Sequence, residues 1–352
     1  MSTDGAGTTT DEGFGNGWTV LGEAGTAGGG DGDEPVLDAA DLAVVTGWVS
    51  KPEGWCRGAE CIPASVIGDV AQARANPAAE VADALGAAFA IDGDHRIAVI
   101  GNRHDAASTL ESGIAPDVKL LGLDGEPHQL FEQSTGKTLL VAFASWCGCR
   151  HDLPGWQELR EELADAPFDV VAVAIDESTD DVAPFAEDVN YPVLVDTDRR
   201  FADAYGLTNV PTVIWLDEDR QVVRQPAPEF ADDSFTEIHG VASGPHRDAL
   251  VRWVREDVLP DDPEVDPTWN GDLSADQRLA RAEFRLALEL LRRGEDEAAA
   301  SHIAKADELA PDDFTIWRAG MKLTGDDPFG ADFFERYTDY QQRHGGPLQV
   351  PE

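Results

Sequence analysis

Lys137-Thr-Leu-Leu-Val-Ala-Phe-Ala-Ser-Trp-Cys-Gly-Cys-Arg-His-Asp-Leu-Pro154 carries an apolar run, Leu139 to Phe143, long enough for one buried parallel strand. Trp146-Cys147-Gly148-Cys149 follows at once, and helix-forming residues run from Asp152 to Leu163. A thiol therefore stands where a central strand hands over to a helix. Helix N-terminal N–H groups and the helix dipole stabilise a thiolate there, so Cys147 is placed to be a nucleophile. Downstream, Phe168 to Ile175 is a second β-rich apolar run, and strand, helix, strand makes a parallel βαβ unit. Upstream, Ala115 to Leu130 alternates apolar positions around Asp124-Gly125 as a hairpin does. Later segments predict a helix over Val182 to Val189, a strand over Val193 to Val195, a helix over Phe201 to Tyr205 and a strand over Val213 to Leu216. Together they define an α/β domain spanning residues 105–258.

This order of elements, with Trp-Cys, a small residue, Cys-Arg and then Leu153-Pro154, resembles the thioredoxin-fold redoxins, most closely the disulfide-reductase branch named after TlpA. The resemblance implies a thioredoxin fold, a central mixed sheet flanked by helices. Family members read WCxxC, whereas this chain reads WCGC, one residue shorter. A disulfide between Cys147 and Cys149 would close a very small ring, and strained disulfides are easier to reduce. Pro211, in Asn209-Val-Pro-Thr212, matches the family's cis-proline beside the active-site disulfide; on sequence alone a trans proline opening an edge or terminal strand is the stronger reading, and the Cys motif and strand order beside it turn the balance to cis. A cis bond there leaves a backbone edge on which an extended substrate segment can pair. Thioredoxins carry a buried Asp six residues before the first Cys; Val141 stands there, so proton transfer falls to solvent or another group. Leu140 and Ala144 replace the Pro and the Thr or Ser that antioxidant-type peroxiredoxins require, which speaks against peroxidase activity. Arg150 and His151 read either as charges lowering the thiol pKa or as a solvated first helical turn.

Across 352 residues, 68 Asp and Glu stand against 26 Lys and Arg, a net charge of −42. Nucleic acid and anionic membranes would repel such a chain. An acidic solvated surface suits a high-salt cytosol, where screening shortens the repulsion. Residues 1–35 are rich in Gly, Thr, Asp and Glu and are expected to form a disordered tail. Lacking a basic start, a signal-like apolar core or a run of about 18 apolar residues, the chain is expected to be cytoplasmic. In a reducing cytosol four cysteines point to catalysis, redox sensing or metal binding rather than to permanent cross-links.

Residues 36–104 form a small α+β module with helices predicted over Leu37 to Val45 and Ala78 to Leu85 and a hairpin from Ala87 to Ile100. Between the helices, Cys56 and Cys61 sit on a turn-rich loop flanked by Trp48 and Trp55. Three readings stay open for this pair: reduced, partly buried thiols, a second redox pair relaying electrons to Cys147 and Cys149, or zinc ligands completed by His95 and His104. A Pro- and Asp-rich linker, 259–274, precedes a helical segment, 275–352. Its apolar pattern from Leu286 to Pro311 resembles one tetratricopeptide repeat, with a second copy that starts at Trp317 and breaks down at Gly320 and Asp326-Asp-Pro328. One repeat cannot bury both of its faces, so it is expected to pack on the redoxin domain or on another chain.

The resulting expectation is a thiol–disulfide oxidoreductase. Cys147 attacks a substrate disulfide, Cys149 resolves the mixed disulfide, Trp146 and Gly148 shape the surroundings and Pro211 shapes the substrate edge. It uses no bound organic cofactor and no metal, acts on a disulfide-containing protein or small molecule, and depends on a cellular dithiol for recycling. Two other classes remain: a redox-sensing adaptor whose helices bind a partner, and a copper(I)-handling protein using both thiolates.

Overall fold

The computed structural model describes residues 17–103 except 59 and 72, then 113–224, 226–261 and 273–344. Two compact units divide the chain, Met1–Gly101 and Asn102–Glu352.

The first unit opens with β1 (Thr19–Leu21) and β2 (Thr26–Gly28), which corrects the expected tail: residues 17–35 are folded, and 1–16 lie outside the described residues. Trp18 and Val20 are buried, and β1 pairs antiparallel with β2. A strand of three residues disappears in the average composition of a Gly-rich segment, yet Trp18 and Val20 give it enough apolar area to stay ordered. Next come β3 (Val36–Asp38) and α1 (Ala39–Thr46), so the helix predicted from Leu37 starts two residues late. Asp38 is its N-cap, accepting from the Ala40 and Asp41 N–H groups at 2.7 and 2.9 Å.

A small antiparallel sheet follows, β4 (Val49–Lys51), β5 (Gly54–Arg57) and β6 (Glu60–Pro63). Gly54 has φ 144°, and a Cβ there would collide with the Ile62 carbonyl. The rest is α2 (Ala64–Ile67), β7 (Ala75–Pro77), α3 (Ala78–Leu85), β8 (Ala87–Asp92) and β9 (Ile97–Arg103), with β1 parallel to β9 and β9 beside β8. Trp48, Trp55, Leu37, Val81 and Ile100 belong to one apolar core.

In the second unit the described residues form a six-stranded sheet in the order β11-β10-β14-β13-β12-β15, from β10 (Lys119–Gly122), β11 (Pro127–Gln129), β12 (Lys137–Phe143), β13 (Phe168–Ala174), β14 (Val193–Val195) and β15 (Thr212–Leu216). Every residue of β12 is buried, as its unbroken apolar run requires. β13 lies parallel to it from Lys137 opposite Phe168 to Phe143 opposite Ala174, while β15 runs antiparallel. A 3₁₀ turn, Gly148–Asp152, leads into α4 (Leu153–Glu162). Where a helix was expected over Val182 to Val189, α5 (Thr179–Val182) ends in a 3₁₀ turn at Ala183–Phe185. Ser178 starts it by accepting the Asp180 N–H at 3.1 Å, and Pro184 inside the turn lacks the N–H that a longer helix would need. α6 (Arg200–Ala204), α7 (Thr236–His239) and α8 (Ser243–Glu256) complete the redoxin-like part.

Past 262–272, which lie outside the described residues, four helices follow: α9 (Ala275–Arg292), α10 (Asp296–Leu309), α11 (Phe314–Thr324) and α12 (Ala331–His344). The second helical pair does not break down as the sequence suggested. Gly325, in the left-handed conformation at φ 89°, ends α11, and Asp326 to Gly330 form only the connection to α12. These helices pack on the redoxin-like part: the Phe314 N–H donates to the Thr208 carbonyl at 2.8 Å, and the Arg199 guanidinium to the Thr315 carbonyl at 3.1 Å. Among the described residues no helix is long and apolar enough to cross a membrane.

Candidate active site

β12 delivers its last residue, Phe143, to the short loop that holds the cysteines. Cys147 is the N-cap of the 3₁₀ turn, in extended conformation, and its Sγ accepts the Cys149 N–H at 3.3 Å. The backbone group that would stabilise a thiolate is thus in place. Cys147 and Cys149 are bonded to each other, with Cα atoms 5.2 Å apart. The Val210–Pro211 bond is cis, as the family resemblance implied, and the Val210 carbonyl oxygen lies 3.5 Å from Cys147 Sγ.

Trp146 departs from its expected role. It is 2% exposed and is not among the residues lining the cleft over the cysteines. Gly148 does face the site, with the Phe235 ring 3.7 Å from where a Cβ would be. Cys147 and Cys149 are themselves only 5% and 4% exposed, and they line a cleft of about 120 Å³. Asn209, Val210 and Pro211 form one wall, Phe230, Phe235 and Ile238 another. Helices α11 and α12 and their connection supply the roof, with Phe314, Arg318, Phe329, Phe333, Phe334 and Tyr337. Sequence reasoning missed this roof; Phe329, Phe333 and Tyr337 recur at a spacing of four, which is the signal of one helical face.

Two buried carboxylates brace the cysteine loop. Asp176, just past the end of β13, accepts the Ser145 N–H at 2.8 Å and the Ser145 hydroxyl. Burial raises its pKa and Glu177 adds to the shift. Lys322 of α11 answers this charge, its Nζ lying 3.3 Å from Asp176 and 2.8 Å from Asp181. Desolvation works against the Lys322 charge, but Glu177, Asp181 and Asp176 outweigh it and raise its pKa.

Asp152, at the end of the 3₁₀ turn, accepts the Ala231 N–H at 3.2 Å through Oδ1, while Oδ2 has no hydrogen-bond partner among the described residues. His246 donates to the Phe230 carbonyl at 2.6 Å, so Asp152 and His246 together hold the segment that presents Phe230 to the cleft. Gly155 permits this approach, since a Cβ there would stand 2.6 Å from Ala231 Cβ.

Burial pushes Asp152 up to about 7, with Asp232 adding to it. The folded chain therefore holds a proton that the unfolded chain releases near pH 4, and stability falls as pH rises through that window. Asp152→Asn keeps the acceptor for Ala231 but never ionises. It is expected to be the more stable protein at pH 8, by on the order of 3 kcal/mol, with the advantage fading towards pH 4. Urea unfolding at both pH values checks this. An equal difference at each pH would mean that the carboxyl is not protonated in the fold.

Cys56 and Cys61 are not the reduced thiols of the simplest reading. They are cross-strand partners on β5 and β6, joined by a disulfide with Cα atoms 4.1 Å apart. Among the zinc candidates, His95 Nδ1 pairs instead with Asp92 at 2.8 Å, and His104 lies outside the described residues.

The family model described as Redoxin matches residues 111–239. Thioredoxin-like protein YneN of Bacillus subtilis is 36% identical over 128 residues, 33% of this chain and 74% of that protein. Thiol-disulfide oxidoreductase ResA of Geobacillus thermodenitrificans is 28% identical over 111 residues, 31% of this chain and 64% of that protein. Among solved structures, the pneumococcal exposed lipoprotein thioredoxin Etrx1 of Streptococcus pneumoniae is 26% identical, covers 40% of this chain and 99% of that one, and gives a TM-score of 0.31.

Proposed function

The chain belongs to the thioredoxin-like redoxin family, and from that premise we propose that it is a thiol–disulfide oxidoreductase working through Cys147 and Cys149. The observation that carries this reading is the bonded Cys147–Cys149 pair at the N-terminus of the 3₁₀ turn, beside the cis Pro211 and under a cleft. In the reducing direction the Cys147 thiolate attacks a substrate sulfur and the substrate S–S bond breaks. One thiolate leaves and takes a proton. Cys149 then attacks Cys147 of the mixed disulfide, releases the second thiol, and closes the enzyme disulfide. Two electrons pass to the substrate, and an external dithiol restores the enzyme. No bound organic cofactor enters the scheme. Supporting it over a partner-binding adaptor, α11, α12 and their connection place Phe314, Phe329, Phe333, Phe334 and Tyr337 on the cleft that holds the disulfide.

Thiol trapping across a graded series of glutathione redox buffers, at constant high salt and followed by mass mapping, tests the proposal. A bond between Cys147 and Cys149 that titrates reversibly is the expected result, and its midpoint gives the direction in which electrons flow. Thiols that stay unlinked at every poise, or that pair with Cys56 or Cys61, would exclude this two-cysteine mechanism.

A further inference from the structure

Arg318 of α11 is 7% exposed and lines the cleft over the disulfide. Its Nε donates to the Pro328 carbonyl at 3.1 Å. Its guanidinium lies 3.9 Å from the Phe333 ring centre, 5.0 Å from Phe329 and 5.9 Å from Trp146. Arg150 of the cysteine loop also lies 4.9 Å from the Phe329 ring centre and 4.8 Å from Phe185. Among the described residues neither guanidinium forms an ion pair, although the chain has 68 acidic residues against 26 basic ones. Aromatic faces offset only part of the cost of a buried cation, and in so acidic a chain the absence of a carboxylate at Arg318 leaves room for one from outside. Burial, with Arg150 adding, pushes the Arg318 pKa down to about 10, so it stays charged at neutral pH.

Size points the same way. Both sulfurs lie at the floor of a cleft of about 120 Å³. The Thr208 carbonyl, at the start of the proline loop, is already taken by the Phe314 N–H. With residues of α11 and α12 lining the cleft that holds both cysteines, its size suits a small disulfide better than a loop of a folded protein. We propose that this cleft takes a low-molecular-weight disulfide bearing a carboxylate beside an apolar group, with the carboxylate on Arg318 and the apolar group against Phe235, Phe329, Phe333 and Phe334. This rests on the oxidoreductase reading and names its substrate class. The exchange is the one written above, with two electrons passing from Cys147 and Cys149 to the small disulfide and the external dithiol resupplying them.

The test uses the full chain, reduced, and four oxidants: dithiobis(nitrobenzoate), aromatic and anionic; dithiodipyridine, aromatic and neutral; cystamine, cationic; and insulin, a folded protein. Each rate constant is divided by the one for dithiothreitol with the same oxidant. The anionic disulfide is expected to exceed the neutral one by at least about tenfold, with cystamine and insulin slowest. In Arg318→Met that anionic-to-neutral ratio is expected to fall by at least about tenfold, and in Arg318→Lys, which keeps the charge without the planar fork, by less. On the unaltered protein, unreactive nitrobenzoate is expected to slow the dithiodipyridine reaction competitively and nitrobenzamide to leave it alone, a readout that needs no variant to fold. A ratio near one, no competition by nitrobenzoate, or insulin as the fastest oxidant would overturn the proposal while leaving the oxidoreductase reading intact. Failure of every oxidant to close the Cys147–Cys149 bond would overturn both.

Discussion

Cys147→Ser is expected to abolish disulfide exchange, lowering kcat/KM by at least about a thousandfold, whereas Cys149→Ser retains the first attack and stalls as a mixed disulfide. The asymmetry follows from the local backbone. Cys147 is the N-cap residue, and the Cys149 N–H points at its sulfur from 3.3 Å. Reduction of the bond leaves that donor in place to stabilise a Cys147 thiolate. Cys149 lies inside the turn with its own N–H aimed at Cys147 Sγ, a position suited to attack on that neighbouring sulfur rather than on an incoming substrate. Mass spectrometry of each serine variant after exposure to a small disulfide separates the roles. An adduct on Cys147 in Cys149→Ser, with none on Cys149 in Cys147→Ser, is the expected pattern. Equal adducts on both cysteines would remove the assignment of nucleophile and resolving residue.

The redoxin-like part was legible because its strands are buried on both faces and so appear as continuous apolar runs; β12, β13 and β14 were found from Leu139 to Phe143, Phe168 to Ile175 and Val193 to Val195. Cys147, Cys149 and Pro211 were found by motif, and the structure brings all three together. What could not be read was the roof. Lys322 meets Ser145 across 177 residues of sequence, and no local pattern records a contact at that range. Gly320 and Pro328 made the segment look broken, yet Gly320 packs inside α11 close to Ile303, and Pro328 lies in the turn that lets α12 fold back. The N-terminal error had the opposite cause: one buried Trp18 and a strand of three residues carried too little signal against a Gly-rich background. Cys56 and Cys61 read as a loop pair because turn residues surround them, while the hairpin that sets them opposite one another depends on β-pairing.

Arg281→Leu is expected to cost about 3–5 kcal/mol of stability, because it strips the cation from buried carboxylates. Arg281 of α9 is 6% exposed and joins the helical segment to the redoxin-like part. One arm donates to the Ala202 carbonyl at 3.0 Å and to Asp203 at 3.2 Å; the other donates to Asp313 at 2.9 Å and to the Leu207 carbonyl. Asp313 is fully buried and also caps α11 by accepting the Thr315 N–H at 2.9 Å. Desolvation opposes the Arg281 charge, but Asp313 and Asp203 outweigh it, so its pKa is raised. Leucine fills much of the volume and supplies none of these bonds, leaving Asp313 with the N–H and hydroxyl of Thr315 and Asp203 with Arg285 at 3.9 Å. Denaturant unfolding at neutral pH measures the loss. Adding Asp313→Asn to Arg281→Leu is expected to recover part of it, since an amide is far less costly than an unpaired carboxylate in the same place. Because α11 carries Phe314 and Arg318 over the cleft, hydrogen exchange in α11 is expected to rise in Arg281→Leu before the sheet is affected, and the Cys147–Cys149 bond to become more accessible to bulky reductants. A loss below about 1 kcal/mol, with α11 as protected as in the unaltered chain, would show that the helical roof is held by its apolar contacts alone and that the buried ion cluster is not what fixes it over the disulfide.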